Sequence, residues 1–185
     1  LFERLLPDVV VHTAYRQDGD CARAIVVDGS ENVARAARAV GARLVHLSTD
    51  VVFDGRKGGP YVETDTPSPC TDYGRAKAEA EERVAAAYPQ ALIVRTSLIV
   101  GGPGHAASKH EQAALDPAMA FFEDEIRSPI QVGDLAAALL ELTQLDVSGP
   151  LHVAGADAVS RADLAELVAR RPVRRAPAPP GRPLD

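Results

Sequence analysis

Short β-branched runs separated by alanine-rich helical stretches set the tightest limit on how this chain can fold. "DVVVHTA" (residues 8–14), "RLVHLS" (43–48), "ALIVRTSLIV" (91–100) and "PLHVAG" (150–155) are continuous rather than alternating, as buried parallel strands are. Between them, "ENVARAARAVGA" (31–42) places Val33, Ala36, Ala37 and Val40 at helical spacing and stops at Gly41. Residues 72–87 are rich in Ala, Glu, Arg and Lys and read as a helix. "QVGDLAAALLELTQL" (131–145) carries Asp134 in its first turn, where negative charge suits the helix dipole. "SRADLAELVARR" (160–171) opens with Ser160 as a candidate N-cap, with Asp163 three residues on. Strands alternating with helices predict an α/β class with a parallel sheet, and no internal repeat is visible.

The rest reads as connection. Leu1 to Leu6 resemble the tail of a helix stopped by Pro7, so the chain is expected to begin in mid-fold. Residues 54–71 are rich in Gly, Pro and Asp and predict a long loop of the kind usually reserved for function. "GGPGHAASKHEQ" (101–112) reads as a second loop, and 170–185 as a proline-rich tail unfit for a helix or a central strand. The 185 residues are 46% apolar, enough for one cored domain or one domain with a small appendage. A net charge of −6, with no basic block beyond Arg170, Arg171, Arg174 and Arg175, argues against a nucleic-acid partner. Those arginines are read as a solvated face in preference to a phosphate contact. Cys21 and Cys70 make neither a disulfide framework nor a metal knuckle, which fits a reducing cytoplasm. No apolar run reaches membrane-span length and no signal peptide opens the chain, so no membrane partner is expected.

The stretch that carries chemistry is "YGRAK", with Tyr73 and Lys77 four positions apart on one helix face. A free phenol is a poor proton donor at neutral pH, and a neighbouring ammonium would lower its pKa toward a useful range. Such a phenol can give a proton to a carbonyl oxygen while hydride arrives at the carbon. A Ser or Thr hydroxyl opposite would hold the same oxygen. Spacing alone suits an ordinary surface helix as well. Upstream, however, "HLSTDVVFDG" (46–55) sets Ser48 and Thr49 at a strand's carboxyl end, where open α/β sheets bind ligands. Strand end, long loop, then Tyr-x-x-x-Lys is the order this chemistry needs.

"STDVVFDG", "PYVETDTPSP" and "YGRAKAEAE" together resemble the dTDP-4-dehydrorhamnose reductase family, sugar-nucleotide-binding members of the extended short-chain dehydrogenase/reductases. "VRTSLIVGGPG", "SPIQVGDLAAALLEL" and "GRPLD" resemble its later segments in the same order. The resemblance implies a Rossmann-like parallel sheet, with residues 1–100 as a truncated dinucleotide-binding core. Residues 101–185 would be mainly a small C-terminal substrate-binding subdomain, with 130–155 returning to the core. It implies reduction of a nucleotide-linked 4-keto-6-deoxy sugar with NADPH or NADH. Thr49 would be the catalytic hydroxyl, Tyr73 the general acid and Lys77 its tuner and a ribose ligand. Thr13, Ala14, Ser48, Thr96 and Leu98 would join Tyr73 and Lys77 at the cofactor, with Asp50, Val51 and Ser97 at the substrate. The partner is a nucleotide-sugar, with a homodimer as an option.

The chain departs from that family in three places. Val51 stands where the reductases usually have a tyrosine, and "AIVVDG" offers Val26 or Val27 where an asparagine is common. No Gly-rich turn to cradle a dinucleotide pyrophosphate precedes Val9, so the N-terminal βαβ portion is expected to be missing and NADPH binding to be weak. A non-catalytic sugar-nucleotide-binding or regulatory module, and a sugar-nucleotide epimerase, stay open as alternatives. His105, Lys109, His110 and Glu111 fit no helical metal pair. His12 and His46 are expected in the core or beside the cofactor, Cys70 as an inert thiol, and Glu63 and Asp65 as solubilising loop charges. From the residues alone, Asp50 is read as tying down the Phe53–Gly55 turn in preference to a catalytic role.

Overall fold

A computed structural model describes residues 1–16, 21–102 and 104–182. Pro103 of the "GGPG" stretch and 183–185 of "GRPLD" lie outside the described residues. In chain order the elements are α1 (Phe2–Leu5), β1 (Val9–His12), α2 (Ala22–Val26), α3 (Asp28–Ala39), β2 (Arg43–Thr49), a 3-10 turn (Asp50–Val52) and α4 (Asp72–Ala87). Then come β3 (Leu92–Thr96), β4 (Ile99–Val100), α5 (Lys109–Ala114), β5 (Ala120–Phe122), β6 (Ile126–Arg127) and β7 (Ile130–Gln131). The chain continues through α6 (Val132–Leu142), β8 (Gly149–His152), β9 (Val159–Ser160), α7 (Arg161–Ala169) and β10 (Arg174–Ala176).

The main sheet has four strands in the order β1-β2-β3-β8, every pair parallel. Successive side chains of a strand leave opposite faces, and here both faces are covered. Leu44 and Ile93 pack with Ala34 and Ala37 of α3 and Val84 of α4. Val45, Leu92 and Val94 pack the other way, against Leu135 and Leu139 of α6. This sandwich explains the unbroken apolar runs and gives the Rossmann-like architecture that the resemblance implies. A second cluster of Ala114, Phe121, Ala162 and Ala165 joins α5, β5 and α7 apart from the sheet.

Several boundaries differ from expectation. The run 91–100 is not one strand: β3 ends at Thr96, and β4 pairs with β7 in a separate two-stranded sheet. Short strands β5, β6 and β7 carry too few residues for a readable period. The helical region before β2 begins at Ala22, with a joint at Val27 that separates α2 from α3. The expected loop 101–112 contains the start of α5, where Ser108 and Glu111 form a reciprocal capping box. The tail does form a strand, β10, parallel to β5 and next to Pro172 and Pro177, so its prolines bracket the paired residues. Ser160 caps α7 as expected, accepting from Asp163 N.

Candidate active site

Strand alternation decides where the hydroxyls at the end of β2 go. Ser48 shares the face of Leu44 and His46, and its Oγ donates to Glu81 Oε1 of α4 at 2.5 Å. Thr49, the last strand residue, accepts instead from Val51 N and begins the 3-10 turn. Helix α4 is pinned beside that turn. Thr71 caps it by accepting from Gly74 N at 3.0 Å. A Cβ on Gly74 would stand 2.3 Å from Val51 O, so only a residue without a side chain lets the first turn of α4 come this close. That approach brings Tyr73 to the end of β2.

Thr49, Tyr73 and Lys77 line one cleft of about 520 Å³ at the carboxyl edge of the sheet. Thr13, Ser48, Thr96 and Leu98 line it too, as do Asp50, Val51 and Ser97. Ala14 is exposed and does not reach the cleft wall. Tyr15 leans on Tyr73 with ring centroids 6.1 Å apart. Thr96 Oγ1 is buried without a hydrogen-bond partner.

The electrostatics correct one expectation. The phenol of Tyr73 is pushed up from its ordinary value, by burial first and then by Tyr15 and Asp50. Lys77 does not offset this. Burial lowers its own pKa to about 8, against a smaller upward pull from Glu81, and its Nζ donates to Leu47 O at 2.6 Å. The phenol therefore keeps its proton at neutral pH. That state suits a donor to a developing alkoxide, which is a stronger base than the phenolate.

Below Lys77, Glu81 and Arg95 form a buried ion pair, with side chains 6% and 5% exposed and Nη2–Oε2 at 2.7 Å. Tyr73, Lys77 and Glu81 thus form an i, i+4, i+8 row on α4, its last member anchored to β3. The row was readable in the sequence; its partner on β3 was not. At the far end of the cleft, Glu125 is 1% exposed and meets three guanidiniums. Arg182 Nε lies 3.0 Å from it, Arg127 Nη2 3.3 Å and Arg161 Nε 4.0 Å. Arg161 Nη1 is buried with no hydrogen-bond partner. These groups come from β6, the start of α7 and the tail, and no local spacing could have joined them.

Other candidates fall elsewhere. Asp50's side chain does not tie the Phe53–Gly55 turn; it faces Ser97 and Arg127, while Asp54 takes the turn by accepting from Arg56 N and Tyr61 Oη. Glu63 and Asp65 are more than solubilising charges: Glu63 accepts from His152 N, and Asp65 pairs with Lys57 and accepts from Val62 N. The first contact holds loop 54–71 against β8, and the others close the loop on itself. His12 and His46 stack across β1 and β2 with Nδ1 atoms 3.0 Å apart, and burial lowers both imidazoles. His110 is on α5, not in a loop, 3.2 Å from Arg161 Nη2, and burial lowers it to about 4. Arg175 pairs with Asp163 and Glu166, away from the cleft. Among the described residues no helix is long and apolar enough to cross a membrane.

Comparison with known proteins gives the chain's family. The family model of the RmlD substrate binding domain matches residues 1–179. The dTDP-4-dehydrorhamnose reductase of Mycobacterium tuberculosis is 41% identical over 169 residues, 83% of this chain and 56% of the relative. The chain thus spans little more than half the length of that relative. The crystal structure of dTDP-4-dehydrorhamnose reductase from Bacillus anthracis in complex with NADP superposes with a TM-score of 0.86 at 26% identity, over 98% of this chain and 71% of that one. A hypothetical dTDP-4-dehydrorhamnose reductase from Sulfolobus tokodaii gives 0.83 at 31% identity, over 100% and 71%. The chain belongs to the RmlD substrate-binding-domain family.

Proposed function

We propose that this chain carries the carbonyl-reducing site of an NAD(P)H-dependent reductase of a nucleotide-linked 4-keto-6-deoxy sugar. The observation that carries the reading is the meeting of Thr49, Tyr73 and Lys77 in one cleft. When bound, a reduced nicotinamide would supply hydride. Thr13, Lys77 and the unpartnered Thr96 hydroxyl line the wall that suits its ribose and ring. Tyr73 transfers its phenolic proton to the carbonyl oxygen as the carbon accepts hydride, and an alcohol results. Thr49 turns its proton from Asp50, a long contact of 3.2 Å, to that oxygen. Lys77, still largely protonated at pH 7, keeps its ammonium in the cleft wall on the helix face of Tyr73, where it suits a ribose hydroxyl of the cofactor. The arginines around Glu125 and the unpartnered Arg161 nitrogen suit the substrate's diphosphate.

Residues 1–100 then form the cofactor core and 101–185 mainly the substrate region, with 130–155 returning to the core. The return of β8 to the main sheet supports that division. A homodimer and a cytoplasmic location belong to the same reading. The test is turnover of dTDP-4-dehydrorhamnose with NADPH by the gene product that carries these residues. Tyr73→Phe should slow it about 10²–10⁴-fold, the usual worth of a general acid, with sugar-nucleotide affinity kept. Sugar-nucleotide binding without turnover in the parent would favour the non-catalytic module instead.

A further inference from the structure

We propose that Asp50 is a positioning residue: its carboxylate clasps the Thr49 hydroxyl to Ser97 and Arg127, and so joins the reacting end of the cleft to its cationic end. Oδ1 accepts from Thr49 Oγ1 at 3.2 Å. Oδ2 accepts from Ser97 Oγ at 2.5 Å and pairs with Arg127 Nη1 at 2.9 Å. Ser97 Oγ in turn accepts from Ser128 N at 3.2 Å. One carboxylate thus gathers the ends of β2 and β3, strand β6 and, through Ser97, the turn after β6. A carboxylate offers about four lone-pair sites, and three are already taken from within the chain. The side chains of Asp50 and Ser97, expected at the substrate, are spent on each other.

The clasp continues outward. Arg127 also reaches Glu125 at 3.3 Å, and Glu125 holds Arg182 at 3.0 Å. Thr49, Asp50, Arg127, Glu125 and Arg182 therefore form one unbroken chain of polar contacts. An anion that draws Arg127 toward the cationic end loosens its hold on Asp50, and with it the orientation of Thr49. Asp50 also acts on Tyr73 through space, in the same upward direction as Tyr15. The role given to Thr49 rests on the reductase reading. The clasp itself does not, and its test needs no turnover.

The test replaces tyrosine with difluorotyrosine, whose phenol ionises lower, and follows Tyr73 by fluorine NMR, assigned with Tyr73→Phe. Asp50→Asn should lower the Tyr73 pKa by about half a unit or more, the scale of one partly screened charge. Arg127→Gln should raise it, because Asp50 loses its counter-charge. Calorimetry with inorganic pyrophosphate should show binding tightened about threefold or more in Asp50→Asn, since Arg127 is released from an ion pair. Opposite shifts that fail to add in Asp50→Asn/Arg127→Gln support the clasp, whereas additive shifts, which two unlinked charges would give, overturn it. Equal titration in both, or shifts of the same sign, with only the melting temperature lowered, would reduce Asp50 to a structural residue. Should Asp50→Asn fail to fold, an unchanged Tyr73 titration in Arg127→Gln overturns the proposal by itself.

Discussion

Replacing Lys77 with methionine should make the protein more stable while removing an ammonium from the wall of the cleft. In the folded chain the ammonium loses its proton near pH 8, against 10.5 for an ordinary lysine, and burial is the main cause. At about 1.4 kcal/mol per pH unit, holding that charge inside costs about 3 kcal/mol at pH 7. Methionine removes this cost and forfeits the hydrogen bond to Leu47 O, worth about 1 kcal/mol. The expected net gain is about 2 kcal/mol at pH 7. Its pH dependence is the sharper part. A base whose folded pKa lies below its unfolded value binds fewer protons folded than unfolded between the two values. The stability of the parent protein therefore climbs as pH rises from about 8 to 10.5, and below that window the whole cost is present. The advantage of Lys77→Met should shrink to under about 1 kcal/mol by pH 10. Urea denaturation of both proteins at pH 7 and pH 10 measures this, with every other titrating group common to the pair. A methionine variant less stable than its parent at pH 7, or an advantage that does not change with pH, would refute the burial argument.

Two further perturbations probe how the site is held. Arg95→Met strands the Glu81 carboxylate in the interior and should cost about 3–5 kcal/mol by urea denaturation, whereas adding Glu81→Leu should recover much of that loss. A cost below about 1 kcal/mol would mean that the pair is hydrated. Gly74→Ala puts a methyl 2.3 Å from Val51 O, so α4 must back away from the end of β2. A stability loss of about 1–3 kcal/mol is expected, with kcat falling more than KM rises as Tyr73 is displaced.

The alternation of apolar runs with helical stretches was enough to predict the parallel sheet, because burial on both faces leaves a continuous signature. The helix caps at Ser160 and Ser108 are local signals too, although the second lies inside a stretch that reads as a loop. The meeting of Thr49, Tyr73 and Lys77 in one cleft was legible because one strand end and one helix turn carry them. Arg95, Arg161 and Arg182 were not, since their partners lie far away in sequence; Arg127 sits two residues from Glu125, but its contact with Asp50 is made only by the fold. The raised phenol of Tyr73 was also out of reach. Spacing tells that a lysine shares the helix face, but not that its ammonium is buried and bound to a carbonyl of β2.

The most direct measurement follows deuterium. The gene product is supplied with NADPH deuterated at the transferring carbon and with dTDP-4-dehydrorhamnose, and the sugar is read by NMR. A proton-giving phenol, an alcohol and an ammonium gathered on one carbonyl require the label to appear on the former carbonyl carbon, and to appear there about 10²–10⁴-fold more slowly with Tyr73→Phe. Label that never leaves the nicotinamide, or that arrives as fast in the phenylalanine variant, would contradict the account.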